Sequence, residues 1–442
     1  MSKELADIIN SLSERDVNAI KSIYDFRCLT TNQIYQLHYM KSVRNDGEIV
    51  SDAYCKQKIN DFLDMELIEK VEHFKGDVFF LTTKGVNVVR HCFDLPTNIY
   101  DVNQKVVKRG YYRAFELKIS QKYINHQLNL NQFLIDFILE EHDVTWKYYD
   151  EKYISQFENI RPDGLLNMLD IDFFIEMDMA TESKKQLYNK WDNYRRFLDS
   201  MEFQYIERKI VVLFVVENTA NPQARIDLVR HTLEARLMDK VDLNFDVYID
   251  TKENLLELLR YKIEVVNRKR VDKNDEIFNA MAKHGFSIAL GEKLKNIFNN
   301  IEYDFYCRKI DENNNVVIEN NRLQEYILDS YYFSPFSVLK KIAFLNLSNV
   351  YFREKLNREL SYIVVVESEK SLFRDLKIMD LVVVDNVFYT TLDRLNTMPF
   401  HEALFQFDFL GNVHSFKDSS LSDRNFEFNV FEKTEEEKST SL

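Results

Sequence analysis

The sequence predicts a multidomain α+β protein, and three observations carry that expectation. The chain has 442 residues, and at ~150 residues per domain this length suggests about three units. Its first hundred residues hold three helical periodicities followed by two short strand-like runs. Its middle runs strand, strand, strand, helix, strand, helix, the alternation of a layered α/β structure. Hydrophobic residues at 45% and charged residues at 29% exclude a disordered chain. Gly (8) and Pro (5) are too scarce for long flexible linkers. No Gly-rich phosphate loop ending in Gly-Lys-Ser/Thr occurs, so ATP-driven remodelling is unsupported.

The N-terminal elements come first. Arg15–Phe26 sets Val17, Ile20, Ile23 and Tyr24 at helical spacing. Thr30, with Gln33 three residues on, reads as a capping box that opens a short helix, Thr31–His38. Ser51 can cap a third helix, Ser51–Met65, whose apolar face is Tyr54, Ile59, Phe62 and Leu63. A turn at Asp46-Gly47 lies before it. Leu67–Val71 and Val78–Leu81 read as strands around a Lys75-Gly76-Asp77 turn. Thr82 and Thr83 cap a helix over Lys84–His91. Three helices and then a hairpin is the order of a winged helix-turn-helix, expected here over residues 1–92, with the third helix in the recognition position. Its outward face would offer Lys56, Gln57, Lys58 and Asn60 to DNA, opposed by Asp52 and Asp61. Lys75 would sit at the wing tip. The same fold also serves protein–protein contacts, and that alternative stays open.

Charge narrows where nucleic acid could be met. The net charge is −14. Residues 1–110 hold 15 basic and 16 acidic residues, 111–270 hold 23 and 28, and 271–442 hold 20 and 28. A protein coating phosphates is usually basic, so the N-terminal third is the least unfavourable place for DNA.

A connector is expected over 93–110 and an α/β domain over 111–270. Gln127–Glu140 reads as a largely buried helix and Val144–Ile154 as a strand. Then Arg161-Pro162-Asp163-Gly164 leads into a strand over Leu165–Leu169, a turn at Asp170-Ile171, and a strand over Asp172–Asp178. A helix follows over Ser183–Ser200. The apolar run Ile210–Val216 reads as a buried central strand, and Ala224–Met238 as another helix. Glu176 and Asp178 are two apart on one strand and share a face. The hairpin sets them opposite Asp163. Like charges so close raise one another's pKa, and a divalent cation relieves the repulsion. Carboxylates suit Mg²⁺ or Mn²⁺. In the following helix Gln186, Lys190 and Tyr194 share a face at i, i+4, i+8, and Lys190 could support a scissile phosphate. Glu151 could join the acids. Each has a plainer reading: acids paired with Arg161 and Lys184 at a solvated strand end, an ordinary exposed helix face, a structural His126. Packing accounts for Tyr111-Tyr112 and Tyr148-Tyr149.

The region 271–432 repeats the alternation without a chemical motif. Val338–Leu345 reads as helix, Tyr362–Glu367 as strand, and Leu381–Thr391 as a strand pair turning at Asp385-Asn386. Residues 433–442 read as a disordered tail. The four cysteines, Cys28, Cys55, Cys92 and Cys307, form no Cys-x-x-Cys and fit a reducing cytoplasm. The N-terminus lacks a signal-peptide pattern, and no apolar run approaches the ~18 residues of a membrane span.

Pro162-Asp163 with Glu176 resembles the restriction-endonuclease-like PD-(D/E)xK fold. That likeness implies metal-dependent phosphodiester hydrolysis. Asp178 stands where that pattern usually has Lys, so Lys190 would be a relocated Lys, or the fold would be a nuclease relic. The wider set is similar to the replication-relaxation family: Leu29–Ile34, Asn125-His126, Arg161–Gly164, Phe174–Glu182 and Lys190–Tyr194, over roughly 15–240. The resemblance implies a DNA-binding protein of a plasmid or phage acting in replication or mobilisation. Asp163, Glu176 and Asp178 would then ligate Mg²⁺ or Mn²⁺, and double-stranded DNA would be the partner, held by a homodimer. Whether it is an enzyme stays open. The alternative is a non-catalytic replication initiator or transcriptional regulator that uses the nuclease-like fold for assembly.

Overall fold

The computed structural model describes residues 3–41, 51–93, 95, 98–100, 106–151, 157–217, 219–241, 244–267, 273–290, 305–315, 317–319, 322–323, 325–331, 335–356, 361–367, 369–384 and 386–415. The expected turn at Asp46-Gly47 and the expected tail lie outside these. The fold is mixed α+β. The chain divides into two compact units, each built from three stretches. Residues 1–182, 213–225 and 250–263 form the first, and 183–212, 226–249 and 264–442 the second.

In the first unit, Ser13 and Asp16 close a capping box on helix Glu14–Phe26. Thr30 and Gln33 close another on Thr31–His38, as the Thr-x-x-Gln spacing requires. Ser51 holds the N-cap of helix Asp52–Asp64 without a side-chain capping bond. Leu29–Thr30 (β1), Ile68–Val71 (β2) and Val78–Leu81 (β3) form an antiparallel sheet of order β1-β3-β2. Gly76, at φ 106, supplies the left-handed residue of the hairpin turn. Gly85 opens the next helix, Thr83–Phe93, where a Cβ would meet the Leu67 carbonyl at 2.1 Å. Asn98–Tyr100 (β4) and Val106–Arg109 (β5) make a second hairpin.

Helix Gln121–Leu139 buries Leu128, Phe133, Leu134, Ile135 and Phe137. It is tied to the helices before it by polar bonds through its buried face. Gln33 Nε2 donates to the Leu128 carbonyl at 2.9 Å, and Asn131 Nδ2 donates to the Cys28 carbonyl at 2.6 Å. Buried amides stay satisfied in this way.

Trp146–Asp150 (β6), Gly164–Met168 (β7), Ile171–Asp178 (β8), Lys209–Val216 (β9) and Phe245–Thr251 (β10) form a sheet of order β10-β9-β8-β7-β6. The β7–β8 turn falls at Leu169-Asp170, one residue before the place expected from sequence. Met168 pairs with Ile171, and the two loop residues take φ of 56 and 57, as a two-residue turn between twisted strands demands.

The second unit holds helix Lys184–Leu198, whose Trp191 Nε1 donates to Thr232 Oγ1 of helix Pro222–Leu237 at 3.0 Å. Its sheet uses Phe286–Leu290 (β11), Phe305–Lys309 (β12), Glu325–Ser330 (β15), Tyr362–Val365 (β16), Val387–Thr390 (β17), Phe405–Phe407 (β18) and Val413–Ser415 (β19), in the order β11-β12-β15-β16-β17-β18-β19. The short pair Ile318–Glu319 (β13) and Arg322–Leu323 (β14) stands apart. β15, β16 and β17 are parallel, so their connections must be crossovers. Helices Pro335–Leu356 and Glu369–Ile378 supply them. The expected strand pair over Leu381–Thr391 is one strand, β17. Because β17 runs parallel to β16, the chain reaches it from the end of a helix. The Leu381 amide still bonds the Leu376 carbonyl at 2.8 Å, which leaves 381–384 as connection. Two buried ion-pair networks sit in this unit. Arg230 Nη1 meets both oxygens of Asp375 at 2.7 and 2.8 Å, with Tyr331 on the same carboxylate. Lys341 and Tyr362 both reach Asp329 Oδ2 at 2.5 Å.

Among the described residues no helix is long and apolar enough to cross a membrane. The four cysteines are free. Burial pushes the Cys28 and Cys55 thiols up to about 12.

Candidate functional site

The residues singled out at the β7–β8 hairpin lie in the first unit. Asp163 precedes β7, and its amide bonds the Ile175 carbonyl at 3.0 Å. Gly164 pairs with Ile175, so Asp163 stands opposite Glu176. Glu176 and Asp178 are 4% and 2% exposed. They are buried because β8 is a central strand, which leaves their charge to be satisfied locally.

Asp178 is satisfied by an arginine. Arg225 Nε donates to its Oδ2 at 2.6 Å and Nη2 to its Oδ1 at 2.9 Å. The Ala180 amide also donates to Oδ1 at 3.0 Å. Arg225 Nη1 continues to the Glu182 carbonyl at 2.8 Å. The side chains of the pair are 8% and 0% exposed. This is the planar two-pronged geometry that suits guanidinium and carboxylate. A divalent cation on Asp178 would therefore face a fixed positive charge at hydrogen-bond distance. Asp178 does not fit the role of metal ligand, and among the described residues no group of three or more His, Cys, Asp or Glu could hold a metal.

Asp163 has a different shell. Its Oδ2 accepts the Met177 amide at 2.8 Å and lies 3.2 Å from His126 Nε2. The same nitrogen is 3.1 Å from the Met177 carbonyl. Two acceptors facing one ring nitrogen place the proton on Nε2. Glu151 is taken by Arg27, whose Nη1 donates to Oε1 at 2.5 Å.

Helix Gln121–Leu139 also meets the hairpin tip. Lys75 Nζ donates to Asn129 Oδ1 at 2.8 Å, and Asn129 Nδ2 donates to the Asn125 carbonyl at 2.7 Å. Burial lowers the Lys75 ammonium from its ordinary range, with Glu217 opposing that and Lys252 adding to it. Beside Lys75, Phe74 is 78% exposed. On helix Asp52–Asp64, Cys55, Ile59 and Phe62 are buried, while Lys56, Gln57 and Asn60 are exposed. Lys56 pairs with Asp52 at 2.6 Å, one turn back. Lys58 is turned inward: it lies 3.3 Å from Asp16, whose side chain is 2% exposed, and 3.8 Å from Asp61.

The remaining candidates belong to helix Lys184–Leu198 in the second unit. Gln186 is held by its own cap, its Oε1 accepting the Ser183 amide at 2.7 Å. Tyr194 is 1% exposed and packs at 5.9 Å from Trp191 and 6.4 Å from Phe245. Lys190 is half-buried.

Sequence reasoning missed Arg225 and Arg27, the cations that hold Asp178 and Glu151. Arg225 is 47 residues from Asp178 and Arg27 is 124 from Glu151, and no local spacing signals such pairs. Residues 20–213 match the family model described as replication-relaxation. No curated protein and no solved structure matches the chain.

Proposed function

We propose, from the membership of residues 20–213 in the replication-relaxation family, that this is a DNA-binding protein acting in replication or mobilisation of a plasmid or phage. The first helices and hairpin work as a winged helix. The observation that carries this reading is helix Asp52–Asp64, which turns Lys56, Gln57 and Asn60 to solvent over a buried Cys55–Ile59–Phe62 face. In a recognition helix the exposed amides read base edges and the lysine meets phosphate. Lys58 positions that helix through Asp16 rather than touching DNA. Lys75 lends the hairpin tip a positive charge. A homodimer on a two-fold site suits a single helix that covers few base pairs.

The central sheet serves assembly in this reading, as a nuclease-like scaffold without catalysis. Arg225 on Asp178 supports it. A Mg²⁺ or Mn²⁺ ion would have only Asp163 and Glu176 left from the expected trio, so no hydrolytic step is assigned.

The test uses the full chain and a random-sequence duplex library, with gel retardation read between low and physiological salt. Expected is selection of a defined site, with affinity falling steeply as salt rises. Lys56→Ala/Gln57→Ala/Asn60→Ala should weaken site binding tenfold or more, since each good base contact is worth about 1–3 kcal/mol. No retardation at low salt would sink the DNA reading. Mn²⁺-dependent plasmid nicking that disappears in Asp163→Ala would overturn the non-catalytic part.

A further inference from the structure

A cavity of about 770 Å³ lies in the first unit, away from the Asp178–Arg225 pair. This is within the ~300–1,000 Å³ range of small-molecule sites. All five residues of β6, Trp146 to Asp150, line it. Side chains on a strand alternate between faces, so five consecutive lining residues mean that the cavity runs along the strand's side. β6 is the end strand of its sheet, which leaves that side open.

The rest of the lining combines flat aromatic surface with a few fixed polar groups. Trp146 and Tyr111 supply ring faces. Ser22 Oγ and His38 Nε2 are 2.8 Å apart. Burial, with the Arg15 charge behind it, pulls the His38 pKa down to about 4, so the imidazole is neutral at pH 7. Asp150 is 1% exposed. The Tyr148 hydroxyl is buried and has no hydrogen-bond partner among the described residues. Burial, then the charges of Asp150, Asp163 and Glu151, holds that phenol well above its ordinary range, so it remains a proton donor. An orphaned buried hydroxyl costs free energy unless something meets it. Lys147 is exposed, with its ammonium 4.8 Å from the Tyr149 ring.

We propose that this cavity binds the guanine base of a nucleotide. Aromatic walls stack a planar ring, a contact worth about 1–3 kcal/mol per base. The Watson–Crick edge of guanine presents two adjacent donors, which a carboxylate such as Asp150 accepts. Its O6 and N7 are acceptors, and Tyr148 donates to them. Lys147 meets the phosphate. An extended peptide would use the open edge of β6 but has no call for a buried carboxylate beside an orphaned phenol. This inference does not depend on the DNA reading.

The chain carries two tryptophans. Trp146 lines the cavity, and Trp191 is buried on Thr232 in the second unit. Titrating the full-length protein with GMP should therefore quench Trp146 in a saturable way. AMP should bind at least tenfold more weakly, since adenine offers an acceptor where guanine offers a donor. Tyr148→Phe keeps the ring and should weaken GMP several-fold at unchanged melting temperature. Asp150→Asn should abolish the preference for GMP over AMP, and should it fail to fold, Tyr148→Phe decides alone. The proposal is overturned by absence of saturable quenching up to about 5 mM GMP, by equal affinity for GMP and AMP, or by GMP binding that Tyr148→Phe leaves untouched.

Discussion

At the scale of single residues, the Asp178–Arg225 pair is the feature with the largest energetic consequence. Both side chains are buried, so removing one leaves a charge with neither water nor partner. Arg225→Ala should lower stability by about 3–5 kcal/mol, whereas replacing both residues by apolar ones of similar volume should cost far less. Urea melts of the two variants check this, and equal losses would show that the arginine contributes packing alone. His38 gives a pH dependence. Its folded pKa, about 4, lies below the ordinary 6.5, so the unfolded chain binds the extra proton first. Stability from this group is therefore complete above about pH 6.5 and is lost as pH falls toward 4. The loss is on the order of 2 kcal/mol once partial solvent contact is discounted. His38→Gln should flatten the difference between melts at pH 7 and pH 5. The acids at 163, 176 and 178 were legible in sequence because strand alternation and a two-residue turn fix who faces whom. What compensates them was not, because Arg225 arrives through tertiary structure.

At the scale of elements, local chemistry was the most legible part. The Thr30–Gln33 box, the recognition-position helix and the β2–β3 hairpin follow from capping and turn residues within a few positions. Thr30→Ala should cost about 1 kcal/mol through its lost cap. The two lysines of helix Asp52–Asp64 should behave differently. Lys56 forms an exposed pair worth about 0–1 kcal/mol, so Lys56→Ala should alter DNA binding with little effect on melting. Lys58→Ala would strand the buried Asp16 and should cost more, about 1–3 kcal/mol. Thermal melts beside gel retardation separate the two, and the reverse order would put Lys58 on the DNA side. The misplacements were also local in origin. The β7–β8 turn shifted by one residue because cross-strand pairing sets register. The expected pair over Leu381–Thr391 became one strand because its parallel neighbour dictates where the chain comes from.

At the scale of the whole molecule, the division into units was the least legible property. Nothing in composition marks that residues 213–225 and 250–263 return to the first unit. The family match ends at residue 213, yet the first unit does not. A chain stopped there should fail to melt cooperatively, and calorimetry on it against the full chain tests this. A sharp transition would mean that 1–182 folds without its later stretches. The acidic total of −14 makes any affinity for DNA a property of one face, so raising salt should weaken it sooner than for a basic protein. The interleaving also sets a timetable during synthesis. At about 5–20 residues per second, Arg225 leaves the ribosome roughly 2–9 s after Asp178. Until then a carboxylate destined for the interior has no guanidinium to meet. The nascent strand must stay hydrated through that interval, and the hairpin seals only when the later helix is delivered.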